Sequence, residues 1–370
     1  MINKSSRFQD NKRIFLTDCE GPLSKNDNAF ELTSFFLPKG EKIFAQISKY
    51  DDVLADIIKR ADYKAGDTLK LIVPFLKAYE VTNCKMIKFA RKSILLMPGA
   101  RETMRFLKKT MPSFIVSTSF EQYIKVVCNQ LDFPYENTYC TALNIDAFSV
   151  NNEEKRVVIR SAQEISEMPL IEIPKNAESI SDFSIKDQHT IERLDEIFWD
   201  EISQLDLGRM LREINPIGGK EKADAARNIV RNIGSDLSKV FYVGDSITDA
   251  ECFRLIRNSG GITISFNGNE YAVREAESAV LSVNSIIIAA LADVFRRHGG
   301  KRVHDLINSW SYGNFKHYGV NSLLSEKIHR AFPKALPKAI NVNINNIHDL
   351  VLESNAFRKG VRGEKIGSLG

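Results

Sequence analysis

Two short apolar runs, each ending on an aspartate, limit the folds open to this chain more than any other feature. Arg13-Ile14-Phe15-Leu16-Thr17-Asp18 runs into Gly21-Pro22, and Lys239-Val240-Phe241-Tyr242-Val243-Gly244-Asp245 repeats the pattern far downstream. Apolar runs of this length bounded by turn residues read as buried strands. In open α/β sheets the side chains at the carboxyl ends of strands face the ligand crevice. Phe114-Ile115-Val116-Ser117 is a third such run, ending on a hydroxyl, and Gly261-Ile262-Thr263-Ile264-Ser265 a fourth. Helical patterns follow them, so the chain reads as α/β with one sheet.

That βα rhythm breaks twice. Residues 1–27, 97–145 and 218–297 carry the strands and form the expected core domain. Residues 28–96 have apolar positions at helical spacing, such as Val53, Leu54, Ile57, Ile58 and Leu69, Ile72, Val73, Leu76, and read as an all-helical insert. Residues 146–217 mix a β-like Arg156-Val157-Val158-Ile159-Arg160 with an acidic helix around Ile191 to Leu211, which predicts a second, α+β insert. Residues 298–370 form a C-terminal extension whose end, Lys359 to Gly370, reads as frayed.

Composition narrows the function classes. A chain of 370 residues with 43% hydrophobic and 26% charged residues buries a substantial core, and a net charge of +4 gives no support for nucleic-acid binding. Cys19, Cys84, Cys128, Cys140 and Cys252 form no CxxC pair, and the start lacks the apolar stretch of a signal peptide, which points to a reduced, cytoplasmic compartment. The most apolar run, Ala279 to Phe295, holds Ser282, Asn284, Ser285 and Asp293, so a buried helix is expected there and not a membrane span.

Four signals stand in one order: Asp18-Cys19-Glu20-Gly21, Ser117 after its strand, Lys222 on a helix, and Gly244-Asp245-Ser246-Ile247-Thr248-Asp249. Together they resemble the four motifs of the haloacid dehalogenase (HAD) superfamily, with a Rossmann-like parallel sheet as core. The chemistry of such a set is that of phosphoryl transfer, which needs an in-line nucleophile and positive charge for the equatorial oxygens. Asp18 is the expected nucleophile. Asp18 and Asp245 are the expected carboxylate ligands of Mg²⁺, the backbone carbonyl of Glu20 joins them as the resemblance implies, and Asp249 is a further acid beside the metal. Lys222 is the expected charge beside the nucleophile, with Lys220 in the same Gly-Gly-Lys-Glu-Lys stretch as the alternative. Ser117, and Thr118 next to it, are candidate phosphate binders. Glu20 is left for proton transfer, protonating a leaving alkoxide and then activating water.

The helical insert and the second-motif region, Ile115 to Phe120 and Ala142 to Asp146, resemble the phosphoserine-phosphatase-like branch. That likeness places Asp27 where an acid receives a substrate amino group. It also puts Ile72 near the cap position that would hold a carboxylate-binding arginine, leaving Lys70 or Arg60 as substitutes. The whole arrangement resembles a group of archaeal HAD proteins catalogued with energy-converting hydrogenase. The expected activity is a phosphatase of a small phosphorylated metabolite. A phosphotransferase or phosphomutase, or an accessory protein that keeps the fold to bind a partner, stands as the alternative, with a homodimer or a hydrogenase-associated partner among the surfaces that the second insert and the extension could serve.

Overall fold

The computed structural model describes residues 13–368. Seven strands form one sheet in the order β3-β2-β1-β4-β5-β6-β7. They are β1 (Ile14–Thr17), β2 (Ser113–Phe120), β3 (Thr138–Thr141), β4 (Val240–Gly244), β5 (Ile262–Phe266), β6 (Ser278–Leu281) and β7 (Lys338–Asn341). The first six run parallel, and β7 pairs antiparallel with β6 along one edge. The strand order reverses at β1, which lies between β2 and β4, and this is the switch point where α/β sheets open a ligand crevice. Phe15 pairs with Phe241 and Thr17 with Val243, so Asp18 and Asp245 leave adjacent strands at nearly the same level. Thr17 pairs with Ile115 on the other side, which brings Ser117 to that level too.

Between β1 and β2 the chain forms α1 (Asn28–Phe36), α2 (Gly40–Asp52), α3 (Thr68–Ala78) and α4 (Asn83–Ser93), then returns through α5 (Ala100–Thr110). Helix α6 (Glu121–Leu131) joins β2 to β3. The second insert has helices and no strand among the described residues, with α7 (Asn152–Glu167), α8 (Ile185–Asp195) and α9 (Arg209–Glu213), and an irregular stretch between the first two. The β-like stretch 156–160 lies inside α7. The reason is local: Asn151 accepts from the Glu153 and Glu154 amides and the Glu154 side chain reaches back, a capping box that starts a helix. Val158, Ala162 and Ile165 then bury one helical face, while Val157 and Ile159 stay half-buried. The acidic helix also differs from expectation, since regular α-helix stops at Asp195 and π- and 3₁₀-turns carry the chain to α9.

The two inserts share one hydrophobic cluster, in which Ile43, Ile47, Leu69, Ile72 and Phe75 meet Val158, Ile165, Ile191, Leu194 and Phe198. Phe198 is the hinge of this packing, stacked on Tyr50 at 5.8 Å and edge-on to Phe75 at 5.9 Å between ring centroids. The helical layer over the sheet is therefore built from both inserts.

Helices α10 (Lys220–Ile233), α11 (Ala250–Asn258), α12 (Glu270–Glu275) and α13 (Ile286–His298) complete the sheet's flanks. The apolar run 279–295 divides into β6 and α13 because Ser282, Asn284 and Ser285 make a turn, with Ser282 Oγ donating to the Asn284 carbonyl at 2.8 Å. The C-terminal extension adds α14 (Gly300–Asn308), α15 (Tyr312–Tyr318) and α16 (Ser322–Ala331), whose Val303, Leu306, Phe315, Leu324 and Ile328 join the main core cluster. It then supplies β7 and the last long helix, α17 (Ile347–Arg362). Residues 359–362, expected to fray, continue that helix. Among the described residues no helix is long and apolar enough to cross a membrane.

Candidate active site

Asp18 leaves β1 with its amide donating to the Val243 carbonyl at 2.8 Å, which ties it to β4. Its carboxylate accepts from the Cys19 amide at 2.5 Å on one oxygen and from Lys222 Nζ at 2.6 Å on the other. Lys222 sits in the first turn of α10, just after Gly218-Gly219, and is fully buried; Lys220 on the same turn is exposed. The Lys222 ammonium also donates to Asp249 Oδ1 at 2.7 Å and so bridges two acids. Burial alone would lower its pKa, but the charges of Asp18 and Asp249 overcome that and raise it. Asp18 is pushed up to about 7, by burial first, with Lys222 opposing and Asp249 and Asp245 adding.

Asp249 is committed on both oxygens. Oδ1 accepts from Lys222 and from the Tyr242 hydroxyl at 2.6 Å, and Oδ2 accepts from the amides of Asp245 at 2.9 Å and Ser246 at 3.0 Å. It orients the lysine and the loop that bears Asp245. Gly21, at φ +91°, is what lets the turn after β1 come so close to that loop, since a Cβ there would stand 2.3 Å from Asp245 Cγ.

Glu20 and Asp27 line the cavity above Asp18. Glu20 Oε1 accepts from the Asn28 amide at 2.7 Å, and Asp27 caps α1 by accepting from the Phe30 amide at 2.9 Å. Burial holds the Glu20 carboxyl well above its ordinary range, Asp27 adds to this, and Arg362 and the Asn28 amide oppose it. The Asp27 carboxyl is raised as well, by burial against the pull of Arg362. Ser117 and Thr118 lie at the end of β2 on the cavity wall. Ser117 Oγ donates to Ser119 Oγ at 3.2 Å, whereas the buried Thr118 Oγ1 finds no hydrogen-bond partner among the described residues.

The acids fit a hard divalent cation. Asp18, Asp245 and Asp249 can each direct a carboxylate oxygen so that the three lie within 4.8 Å of one another. Around the cavity floor the carboxyls of Asp18, Glu20, Asp27, Asp245 and Asp249 outnumber the cations Lys222, Arg358 and Arg362, and an excess of oxygen anions is what Mg²⁺ takes as ligands. Since Asp249 is already satisfied, Asp18 and Asp245 are the side chains with capacity left.

The cavity measures about 110 Å³. Its roof comes from α2 and α3 with Phe44, Ser48, Asp51, Asp52, Thr68 and Leu69. The segment between those helices closes on the core, where a Cβ on Gly66 (φ +95°) would meet the Thr118 and Thr248 methyls at 3.1 and 3.2 Å. Asp51 accepts from the Tyr63 hydroxyl at 2.6 Å and from the Thr68 amide at 3.0 Å, and burial raises its carboxyl to about 7. Neither candidate cation of the insert reaches the cavity. Lys70 pairs with Asp67 at 2.5 Å, Arg60 pairs with Asp195 at 3.0 Å and lies over Trp199, and Ile72 is buried in the insert core.

Two residues not singled out in the sequence stand here instead. Arg358 and Arg362 of α17 both ion-pair with Asp245 Oδ2, Arg362 at 3.0 Å, and each side chain is 4% exposed. Their sequence signal is a single helical stripe, Leu350, Ser354, Arg358 and Arg362 at four-residue intervals, whose apolar end packs with Val273 and Ala279.

No protein-family model and no curated protein sequence matches the chain. Among solved structures it is similar to the gene product AF1437 from Archaeoglobus fulgidus, with a TM-score of 0.78 and 24% identity over 97% of this chain and 99% of that one. A phosphoserine phosphatase in apo form aligns at a TM-score of 0.44 and 15% identity, over 75% of this chain and 97% of that one. A substrate-bound phosphoserine phosphatase complex aligns at 0.46 and 16%, over 75% and 97%. The likeness to AF1437 spans both inserts and the C-terminal extension, so this entire arrangement, and not the sheet alone, is a recurring fold.

Proposed function

We propose that this chain is a Mg²⁺-dependent phosphatase that hydrolyses a small phosphorylated metabolite through a phosphoaspartate on Asp18. The observation that carries the reading is the Asp18–Lys222–Asp249 chain of ion pairs at the switch point of the sheet, beneath a small cavity lined by Glu20. Asp18 attacks phosphorus with a carboxylate oxygen whose position is held by the Cys19 amide and Lys222. Lys222 neutralises charge on nucleophile and phosphate together. Glu20, kept protonated by burial, gives its proton to the leaving oxygen, and as carboxylate it then takes one from the water that cleaves the acyl phosphate. Ser117 and Thr118 bind phosphoryl oxygens, and Thr118 Oγ1 has its hydrogen-bonding capacity unused among the described residues. Asp27 contributes a second acid at the entrance to α1, suited to an amino or hydroxyl group of the substrate. Held by Asp18 and Asp245, Mg²⁺ would supply Lewis-acid neutralisation of the phosphate oxygens.

The test is turnover. Purified protein with Mg²⁺, screened against a panel of phosphorylated metabolites, is expected to release phosphate from at least one of them. Asp18→Asn should lower that rate by ~10³-fold or more while the fold is retained, because the amide keeps the carboxylate's shape but cannot attack phosphorus. Unchanged turnover in Asp18→Asn, or full activity in excess chelator, would refute the mechanism.

A further inference from the structure

We propose that α17 is a working part of the site: Arg358 binds an oxygen of the transferring phosphoryl group, and Arg362 holds the helix in place for it. The inference rests on the phosphatase reading for the identity of the anion.

The two arginines differ in what they have left to offer. Arg362 is satisfied, with Nη1 on Asp245 at 3.0 Å, Nε on the Lys25 carbonyl at 3.1 Å and Nη2 on the Asn26 carbonyl. Those two carbonyls belong to the segment that leads from β1 into the helical insert, so Arg362 links the last helix to the base of the roof. Arg358 uses Nη1 for the Asp245 carboxylate and, at 3.1 Å, for the Asp245 carbonyl. Its Nε–H is buried and finds no acceptor among the described residues. A charged donor closed off from water without an acceptor is costly, and such a group calls for a ligand, an ion or an ordered water beside it.

The placement selects the ligand. Arg358 lines the cavity and pairs with the same carboxylate that stands beside Asp18, which puts its guanidinium at the reacting end of the site. Arg358 and Arg362 are the only basic residues that line this cavity among the described residues, because Lys222 lies beneath its floor and the insert contributes Asp51 and Asp52. A phosphate monoester entering it meets positive charge from α17 alone among these walls. A guanidinium holding a carboxylate with one edge and a phosphoryl oxygen with another uses the fork geometry that distinguishes arginine from lysine. The helix is rigidly seated for this: one turn before Arg358, Ser354 Oγ donates to the Gly268 carbonyl at 2.5 Å, and Leu350 and Val351 are buried against Val273 and Ala279.

Calorimetric titration of inorganic phosphate into the Mg²⁺-loaded full chain tests this without turnover. Arg358→Met, which removes the charge, and Arg358→Lys, which keeps a cation for Asp245 but has no donor at the Nε position, are each expected to weaken phosphate binding by about tenfold or more. Circular dichroism and a urea melt establish that each variant is folded. Wild-type phosphate affinity in either folded variant would overturn the proposal, as would absence of phosphate binding by the wild type at millimolar concentration. Tighter Mg²⁺ binding with unchanged phosphate affinity would also overturn it, leaving Arg358 as a counter-ion of Asp245 only. Inactivity toward every ester would count against the phosphatase reading but leave this binding comparison intact, so the two failures are distinguishable.

Discussion

Replacing Lys222 by methionine, beside the same change at Lys220, separates a buried charge that holds the site together from a solvated one that does nothing for it. Lys222 is fully buried, and its ammonium lies 2.6 Å from Asp18 and 2.7 Å from Asp249. Without it two buried carboxylates face each other with no shared counter-ion. Removing one partner of such a pair costs about 3–5 kcal/mol, because the charge left behind is neither solvated nor neutralised. The cost must depend on pH. Asp18 already titrates at about 7 with the lysine present, and loss of the ammonium raises it further. An acid whose pKa is higher folded than unfolded favours the folded state below the unfolded value and costs stability as pH rises through the folded one. In chelator, so that no divalent cation compensates, urea denaturation should therefore show a Lys222→Met deficit of about 3–5 kcal/mol at pH 8. At pH 5 the deficit should be smaller by about 1 kcal/mol, because wild-type Asp18 is itself protonated below about 7 and each pH unit above that is worth about 1.4 kcal/mol. Lys220→Met should stay within ~0.5 kcal/mol of the wild type at both pH values. Equal deficits for the two lysines, or a Lys222→Met deficit that does not move with pH, would refute the reasoning.

Two further perturbations reach other parts of the site. Glu20→Gln should slow hydrolysis of alkyl phosphates strongly, yet with a nitrophenyl phosphate it should give a burst of phenolate followed by slow turnover, since a weakly basic leaving group needs no acid while the acyl phosphate still needs a base; the same slowing for both esters without a burst would place the proton transfer elsewhere. With alkyl esters the wild-type rate should fall as pH rises through the raised Glu20 pKa, and that limb should be missing from Glu20→Gln. Asp51, raised from 3.8 to about 7 by burial in the roof, should cost the wild type up to roughly 4 kcal/mol of stability between pH 4 and 8. Asp51→Asn should flatten that slope in urea melts, and parallel pH profiles would show that Asp51 is not the group responsible.

How much of this could be read from the chain depends on how local the cause is. The strands of the core and the glycine at the turn after Asp18 are written in short runs whose composition and boundaries suffice, and so Asp18 and Asp245 stand out without any knowledge of their neighbours. Lys220 and Lys222 could not be separated in the same way, because one helical turn offers both and only packing against β1 and β4 decides which is buried. The stretch 156–160 misled for a different reason: its β-branched residues suggest a strand, but the Asn151–Glu154 capping box starts a helix that buries Val158, leaves Val157 and Ile159 half-buried and exposes the two arginines. Four residues settled the element, and the run of valines did not.

The linear chain determined that there is one α/β sheet with acids at the carboxyl ends of two of its strands, because strand period and turn chemistry act over a few residues. Only the tertiary structure decided that the two inserts merge into one helical layer around Phe198, that the two strands bearing the acids are neighbours, and that a helix running into the end expected to fray turns its arginines inward. Arg358 meets Asp245 across 113 residues of sequence. On an isolated helix its guanidinium would be solvated like any other surface arginine. It is buried because β7 anchors the extension to the sheet edge, Leu350 and Val351 fix the rotation of α17, and a carboxylate waits where that face arrives. A charge enters the interior only when its partner is already placed there, and that placement is a property of the assembled fold.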